Sequence, residues 1–171
     1  MRVAPLGAYF ADDIDQVPAM AAKSARVTHY HPEGIAGAVA TATAAAAATQ
    51  SRGQSPKEAT NGIWDSVLEH TDSGAVRDRL LQAQKLQSAE PSIVAVEVGN
   101  GAEISAQDTV PFCIWNACRC IDNYKEAILS TIEVGGDCDT NCAIVGGIVA
   151  SYTGQDAIPS EWLRVREQLP L

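Results

Sequence analysis

The stretch from Pro32 to Thr49 constrains the fold of this chain more than any other, because it carries Gly34, Gly37 and nine alanines and little side-chain bulk. Alanine is the best helix former, so the segment is expected to be one helix. In a protein most of a helix's stability comes from neighbours packed on it rather than from propensity. With so few large side chains, those neighbours must approach its backbone closely. Such a helix suits the centre of an all-α domain.

Hydrophobic residues make up 46% of the sequence and charged residues 19%, which places the chain among globular rather than disordered proteins. Its 171 residues are expected to form a single domain, 1–171, with a substantial core. The net charge of −9 argues against nucleic acid and against an anionic membrane surface as partners. An acidic surface favours solubility, and an acidic pocket would suit divalent cations. No window approaches the roughly 18 apolar residues needed to span a bilayer. The opening MRVAPLGAYFADD lacks the basic start and long apolar run of a signal peptide. The five cysteines, at 113, 118, 120, 138 and 142, show neither a disulfide framework nor paired zinc spacing. They are expected to be small buried hydrophobes of a reduced, cytoplasmic protein.

The pattern is helical almost throughout. Asp12 and Asp13 can cap a helix over 14–27, with Pro18 near its first turn. Ser55 and Pro56 mark the start of another that runs to His70, with Ile63, Trp64, Val67 and Leu68 at helical spacing. Asp72 or Ser73 opens a further helix through Leu80 and Leu86. The segment Pro91–Val98 is rich in strand-forming residues, but no partner strand is evident and a lone strand is unstable, so it is expected to be an extended connection. Helices are expected again over 107–120, 123–133, 140–152 and 159–167.

Asp137 and Asp139 are one residue apart, after Gly135-Gly136 and before an apolar helix. The glycines free the backbone to curl, so that both carboxylates and the Thr140 hydroxyl can converge on one point as a half-site for a hard cation. The same residues also suit a simple capped helix, with Asp139 or Thr140 as the N-cap and Asp137 solvated. The spacing leaves both open.

The longer segment Gly135-Gly136-Asp137-Cys138-Asp139-Thr140-Asn141, followed by an Ile-Val-Gly-Gly helix, Tyr152-x-Gly154, Ile158-Pro159 and Trp162, resembles the C-terminal signature of the ADP-ribosylglycohydrolase family. Further matches occur in family order. Met1-Arg2-Val3-Ala4-Pro5-Leu6-Gly7 is similar to the end of that family's glycine-rich substrate motif. Ser24 to His29 is similar to its Ser-x-x-Thr-His, and Gly99-Asn100-Gly101 through Asp108-Thr109-Val110-Pro111 to a later stretch. The resemblance covers nearly the whole chain and implies an all-α, multi-helix fold. It implies Asp137, Asp139 and Thr140 as ligands of Mg²⁺ or Mn²⁺. It implies His29, Met1 and the Val98, Gly99, Asn100 loop as contacts for ADP-ribose or an ADP-ribosylated substrate.

The family's catalytic glutamate and its Thr-Asp-Asp ligand set belong to an N-terminal half that the sequence does not contain. The chain is therefore expected to hold an incomplete metal site and no catalytic residue, with hydrolysis of ADP-ribosyl bonds impaired. An alternative is a non-catalytic structural or interaction protein. In that reading apolar faces, particularly on the Ile35 to Thr49 helix, drive homo-oligomerisation or binding of a partner that supplies the other half. A cysteine-based zinc or redox module is the third reading.

Overall fold

A computed structural model of the chain describes residues 1–167. Within them the fold is all-α, with no strand. The helices are α1 Ala4–Tyr9, α2 Val17–Arg26, α3 Pro32–Gln50, α4 Pro56–His70, α5 Ala75–Lys85, α6 Pro91–Val98, α7 Ala106–Arg119, α8 Tyr124–Val134, α9 Cys138–Thr153 and α10 Ser160–Val165. Short 3₁₀ turns, Ile14–Gln16 and Gln155–Ala157, precede α2 and α10.

The alanine-rich α3 is the central helix. It packs against α1, α2, α4, α5, α7 and α9, and every residue from Val39 to Ala48 is buried. Close approach replaces bulk here. A Cβ on Gly7 of α1 would stand 2.0 Å from the Ala42 carbonyl oxygen of α3, so α1 can cross α3 only where a glycine faces it. One large core joins α3 to α4, α5, α7 and α9 around Trp64, Trp115, Phe112, Ile144 and Ile148, and a smaller one seats α1 and α2 through Val3, Val17 and Ala21. The expectation that the Ile35 to Thr49 helix offers an apolar face for dimerisation is therefore corrected: its own chain covers that face.

Helix starts follow local chemistry. Pro32, Pro56 and Pro91 stand in the first turns of their helices, where a missing N–H costs nothing. Ser55 and Glu58 form a reciprocal capping box on α4. The start of α5 is capped from a distance: the Glu33 carboxylate of α3 accepts the amides of Ala75 and Val76 at 3.1 and 2.8 Å.

Two elements differ from the sequence expectation. Residues 91–98 form α6 rather than an extended connection. Pro91 starts the helix, and Val94 and Val98, four residues apart, bury one face of it beside α5 and α7. Packing overrides the strand preference of valine and isoleucine. The other is the helix expected over 14–27, which begins as the 3₁₀ turn Ile14–Gln16 and becomes α-helical at Val17, with Pro18 in its first turn.

Candidate functional site

Three separate segments meet at one cleft of about 450 Å³: the chain start at Met1 and Arg2, the end of α2 at Thr28 and His29, and the beginning of α9 at Asp137 and Thr140. The floor comes from Gly37 and Thr41 of α3 and from Thr109 and Val110 of α7. Residues far apart in sequence, four of them expected at a site, thus share one concavity.

The Asp137 wall is built by a reversal of the backbone. α8 ends at Val134, and Gly135 and Gly136 both take φ near +76°, a region closed to most side chains. A Cβ at Gly136 would lie 2.1 Å from the Asn100 carbonyl oxygen, so this turn is also pressed against the 99–101 loop. Asp137 then caps α9, its carboxylate accepting the Thr140 amide at 3.5 Å. Asp139 accepts the same amide at 3.0 Å. The helix is capped, as one reading of the spacing has it, but by Asp137 rather than by Asp139 or Thr140. The close pairing of its side chain with Asp139 is the main reason that the Asp137 carboxyl lies below its usual range; the Thr140 hydroxyl adds to this, and desolvation opposes it. Asp137 and Thr140 line the cleft, while Asp139 is exposed beside it. These three side chains are the hard oxygen donors of the turn. Among the described residues, no cluster of three or more His, Cys, Asp or Glu converges in metal-binding geometry.

The opposite wall is a polar relay. Arg2 donates to the Ser24 carbonyl at 2.7 Å and to the Thr28 hydroxyl at 3.3 Å, pinning the chain start to the end of α2. The Thr28 hydroxyl and His29 Nδ1 lie 2.8 Å apart and share one proton-bearing contact, and the Ala25 carbonyl stands 3.5 Å from the same hydroxyl. With Nδ1 accepting, Nε2 of the neutral ring carries its proton and presents a donor.

The Val98, Gly99, Asn100 loop takes a different place from the other expected contacts. It is not among the residues lining the cleft; it lies behind the Asp137 turn. Val98 is fully buried in the core. The Asn100 carbonyl accepts the Asp137 amide at 3.3 Å and the Asn141 side-chain amide at 2.6 Å, and its own side-chain amide donates to the Val134 carbonyl at 3.4 Å. Ile104 and Ser105, which do line the cleft, were not singled out from the sequence; nothing in their local pattern marks them.

The five cysteines are free, three buried and two half-buried. Burial pushes the Cys113 and Cys118 thiols up, as befits packing residues.

An all-helical fold in which this set of residues borders one cleft agrees with a family assignment made on the whole chain. The chain belongs to the ADP-ribosylglycohydrolase family, whose model matches residues 1–169. It is similar to the ADP-ribosylhydrolase ARH3 of Homo sapiens, 28% identical over 188 residues that cover 95% of this chain and 51% of that protein. An uncharacterized protein of Archaeoglobus fulgidus is 29% identical over 165 residues, covering 95% of this chain and 50% of its own. A shorter match, 40% identical over 42 residues, joins 25% of this chain to 14% of the ADP-ribosyl-[dinitrogen reductase] glycohydrolase of Rhodospirillum rubrum. The chain spans about half the length of the first two relatives. No helix among the described residues is long and apolar enough to cross a membrane.

Proposed function

We propose that the cleft binds ADP-ribose, free or attached to a modified substrate, and that the chain provides part of the site at which a family hydrolase cleaves the ADP-ribosyl bond. The observation that carries this reading is the meeting of Met1, His29, Asp137 and Thr140 around one cavity. Its volume, about 450 Å³, is in the range of small-molecule sites. The His29 Nε2–H is suited to donate to a ligand oxygen. The apolar floor of Val110 and Ile144 keeps water from one side of the bound molecule.

Asp137, Asp139 and Thr140 are the residues that would hold Mg²⁺ or Mn²⁺ in this reading. Two carboxylates and one hydroxyl fit the hard-oxygen preference of such ions and leave other positions of an octahedral shell for water or further oxygen donors. When bound, the ion would orient ligand hydroxyls and stabilise negative charge beside the bond to be broken. Hydrolysis needs a general acid or base within reach of that bond, and the resemblance assigns that role to a glutamate that this sequence does not contain. Activity of this chain alone is therefore proposed to be low, with full activity requiring groups from elsewhere.

Calorimetric titration with ADP-ribose, with and without Mg²⁺, tests the reading. Saturable binding that tightens with Mg²⁺ and weakens in His29→Ala supports it. Absence of heat at millimolar ligand removes it. A second reading, in which another copy or a complementary polypeptide supplies the remaining oxygen donors, rests on the small donor set at Asp137. Sedimentation across a range of concentrations tests it, and a monomer at every concentration would remove the second-copy form.

A further inference from the structure

The loop between α6 and α7 is held from below by one buried carboxylate. Asp108, in the first turn of α7, is only 4% exposed. Its Oδ2 accepts the Glu103 amide at 2.8 Å, its backbone carbonyl accepts the Gly101 amide at 3.0 Å, and its Oδ1 faces Arg79 Nη1 at 3.8 Å. Arg79 is itself fixed by carbonyls left free for identifiable reasons. Pro111 has no N–H to offer the Gln107 carbonyl four residues earlier, and the Val98 carbonyl lies at the end of α6. Arg79 donates to both, at 3.2 and 3.4 Å. The guanidinium thus ties the end of α6 to the start of α7, and Asp108 ties the loop between them to the same point.

That loop meets the cleft twice. At one end, the Asn100 carbonyl supports the Asp137 amide and the Asn141 side chain. At the other, Ile104 and Ser105 form part of the cleft wall. Ile104 has φ of +54°, an unfavourable region for a β-branched residue, and its side chain is exposed. Such a conformation persists only where its surroundings over-determine it. Here the Ile104 amide donates to the Gly101 carbonyl at 3.0 Å, while Asp108 holds Gly101 through its main-chain carbonyl and Glu103, just before Ile104, through its carboxylate. Buried ion pairs add little net stability, so the value of Asp108 and Arg79 lies in where they hold the loop.

We propose that Asp108 is a positioning residue for the cleft, setting the Ile104 wall directly and the Asp137 turn through Asn100. The proposal rests on the ADP-ribose reading of the cleft for its effect on affinity, but not for its effect on the loop.

The test combines amide hydrogen exchange with calorimetric titration by ADP-ribose and Mn²⁺, on the wild type, Asp108→Ala and Asp108→Asn. In Asp108→Ala, the Glu103 amide loses its acceptor and should lose protection, with Ile104 and Asp137 following as the loop loosens, while Gly101, bonded to the Asp108 main chain, and the amides of α3 keep theirs. Affinity for ADP-ribose with Mn²⁺ should fall about 10–100-fold, the usual effect of removing a supporting residue behind a ligand-binding group. Asp108→Asn keeps an oxygen for the Glu103 amide and should restore loop protection and most of the affinity. If the alanine variant does not fold, Asp108→Glu carries the test. It keeps the charge near Arg79 but displaces the oxygens by a methylene, and it should give the same ordering of effects in milder form. Unchanged protection at Glu103 and Ile104, or loss spread evenly over α3 and α7, would overturn the proposal. If the wild type binds no ADP-ribose, the functional reading fails, and hydrogen exchange alone decides whether Asp108 positions the loop.

Discussion

The two walls of the cleft are built on opposite principles. The Asp137 wall is braced from behind: the Asn100 carbonyl, the fully buried Asn141 and the Gly136 reversal lock it to the 99–101 loop. The His29 wall is exposed and hangs on side-chain hydrogen bonds from Arg2 and Thr28. The first arrangement fixes the Asp137 carboxylate at the start of α9 through a backbone held on both sides. The second leaves a ring held at Nδ1 by the Thr28 hydroxyl but with open surroundings, which suits contact with an arriving ligand. The difference separates what can be altered without unfolding from what cannot.

The sharpest way to break the comparison is at Gly136. A Cβ there meets the Asn100 carbonyl oxygen at 2.1 Å in a backbone conformation that non-glycine residues avoid. Gly136→Ala should cost about 3 kcal/mol in chemical denaturation, combining strain with displacement of the 99–101 loop. A loss under about 1 kcal/mol would mean the turn is looser than its contacts imply. The next effect is at Asn141. Its side-chain amide is the 2.6 Å partner of the Asn100 carbonyl, and its side-chain oxygen accepts from the Cys113 thiol at 3.4 Å. Asn141→Ala removes the shorter of the two hydrogen bonds to the Asn100 carbonyl and leaves a gap in a fully buried site, and should cost about 2 kcal/mol. Chemical-shift changes should concentrate at Asp137 and Asn100, leaving His29 unmoved. Equal perturbation of both walls would refute their independence.

Much of this scaffold could be read from the residues. Ser55-Pro56 and His31-Pro32 announce helix starts, and the alanines of α3 require the close packing that they receive. The Asp137-x-Asp139-Thr140 turn was recognisable because its residues are contiguous. What stayed hidden depends on distant partners. α6 looks like a strand because Ile93, Val94, Val96 and Val98 favour one, and only the burial of Val94 and Val98 decides otherwise. Asn100 belongs to a stretch similar to a family motif, but its role behind the Asp137 turn follows from a reversal at Gly136 that brings two loops together. The left-handed Ile104 has no local signature, because its conformation is imposed by the hydrogen bonds of Asp108 and Gly101.

The smallest expected effect on stability falls on the open wall and sharpens the contrast. Thr28→Val keeps the size and shape of the side chain but removes the hydroxyl that links Arg2 to His29. The residue is exposed, so denaturation midpoints should stay within about 0.5 kcal/mol of the wild type. The ring loses the partner that selects its tautomer, so nitrogen NMR of the imidazole at a pH where it is neutral should shift from mainly Nε2–H toward a mixture. If His29 donates to ADP-ribose as proposed, affinity should fall by a few-fold to about tenfold, the value of one hydrogen bond made less favourable. A variant that keeps both its tautomer and its affinity would show that the ring is set by the ligand alone. The Arg2 and Thr28 contacts would then serve only to fasten the chain start to α2.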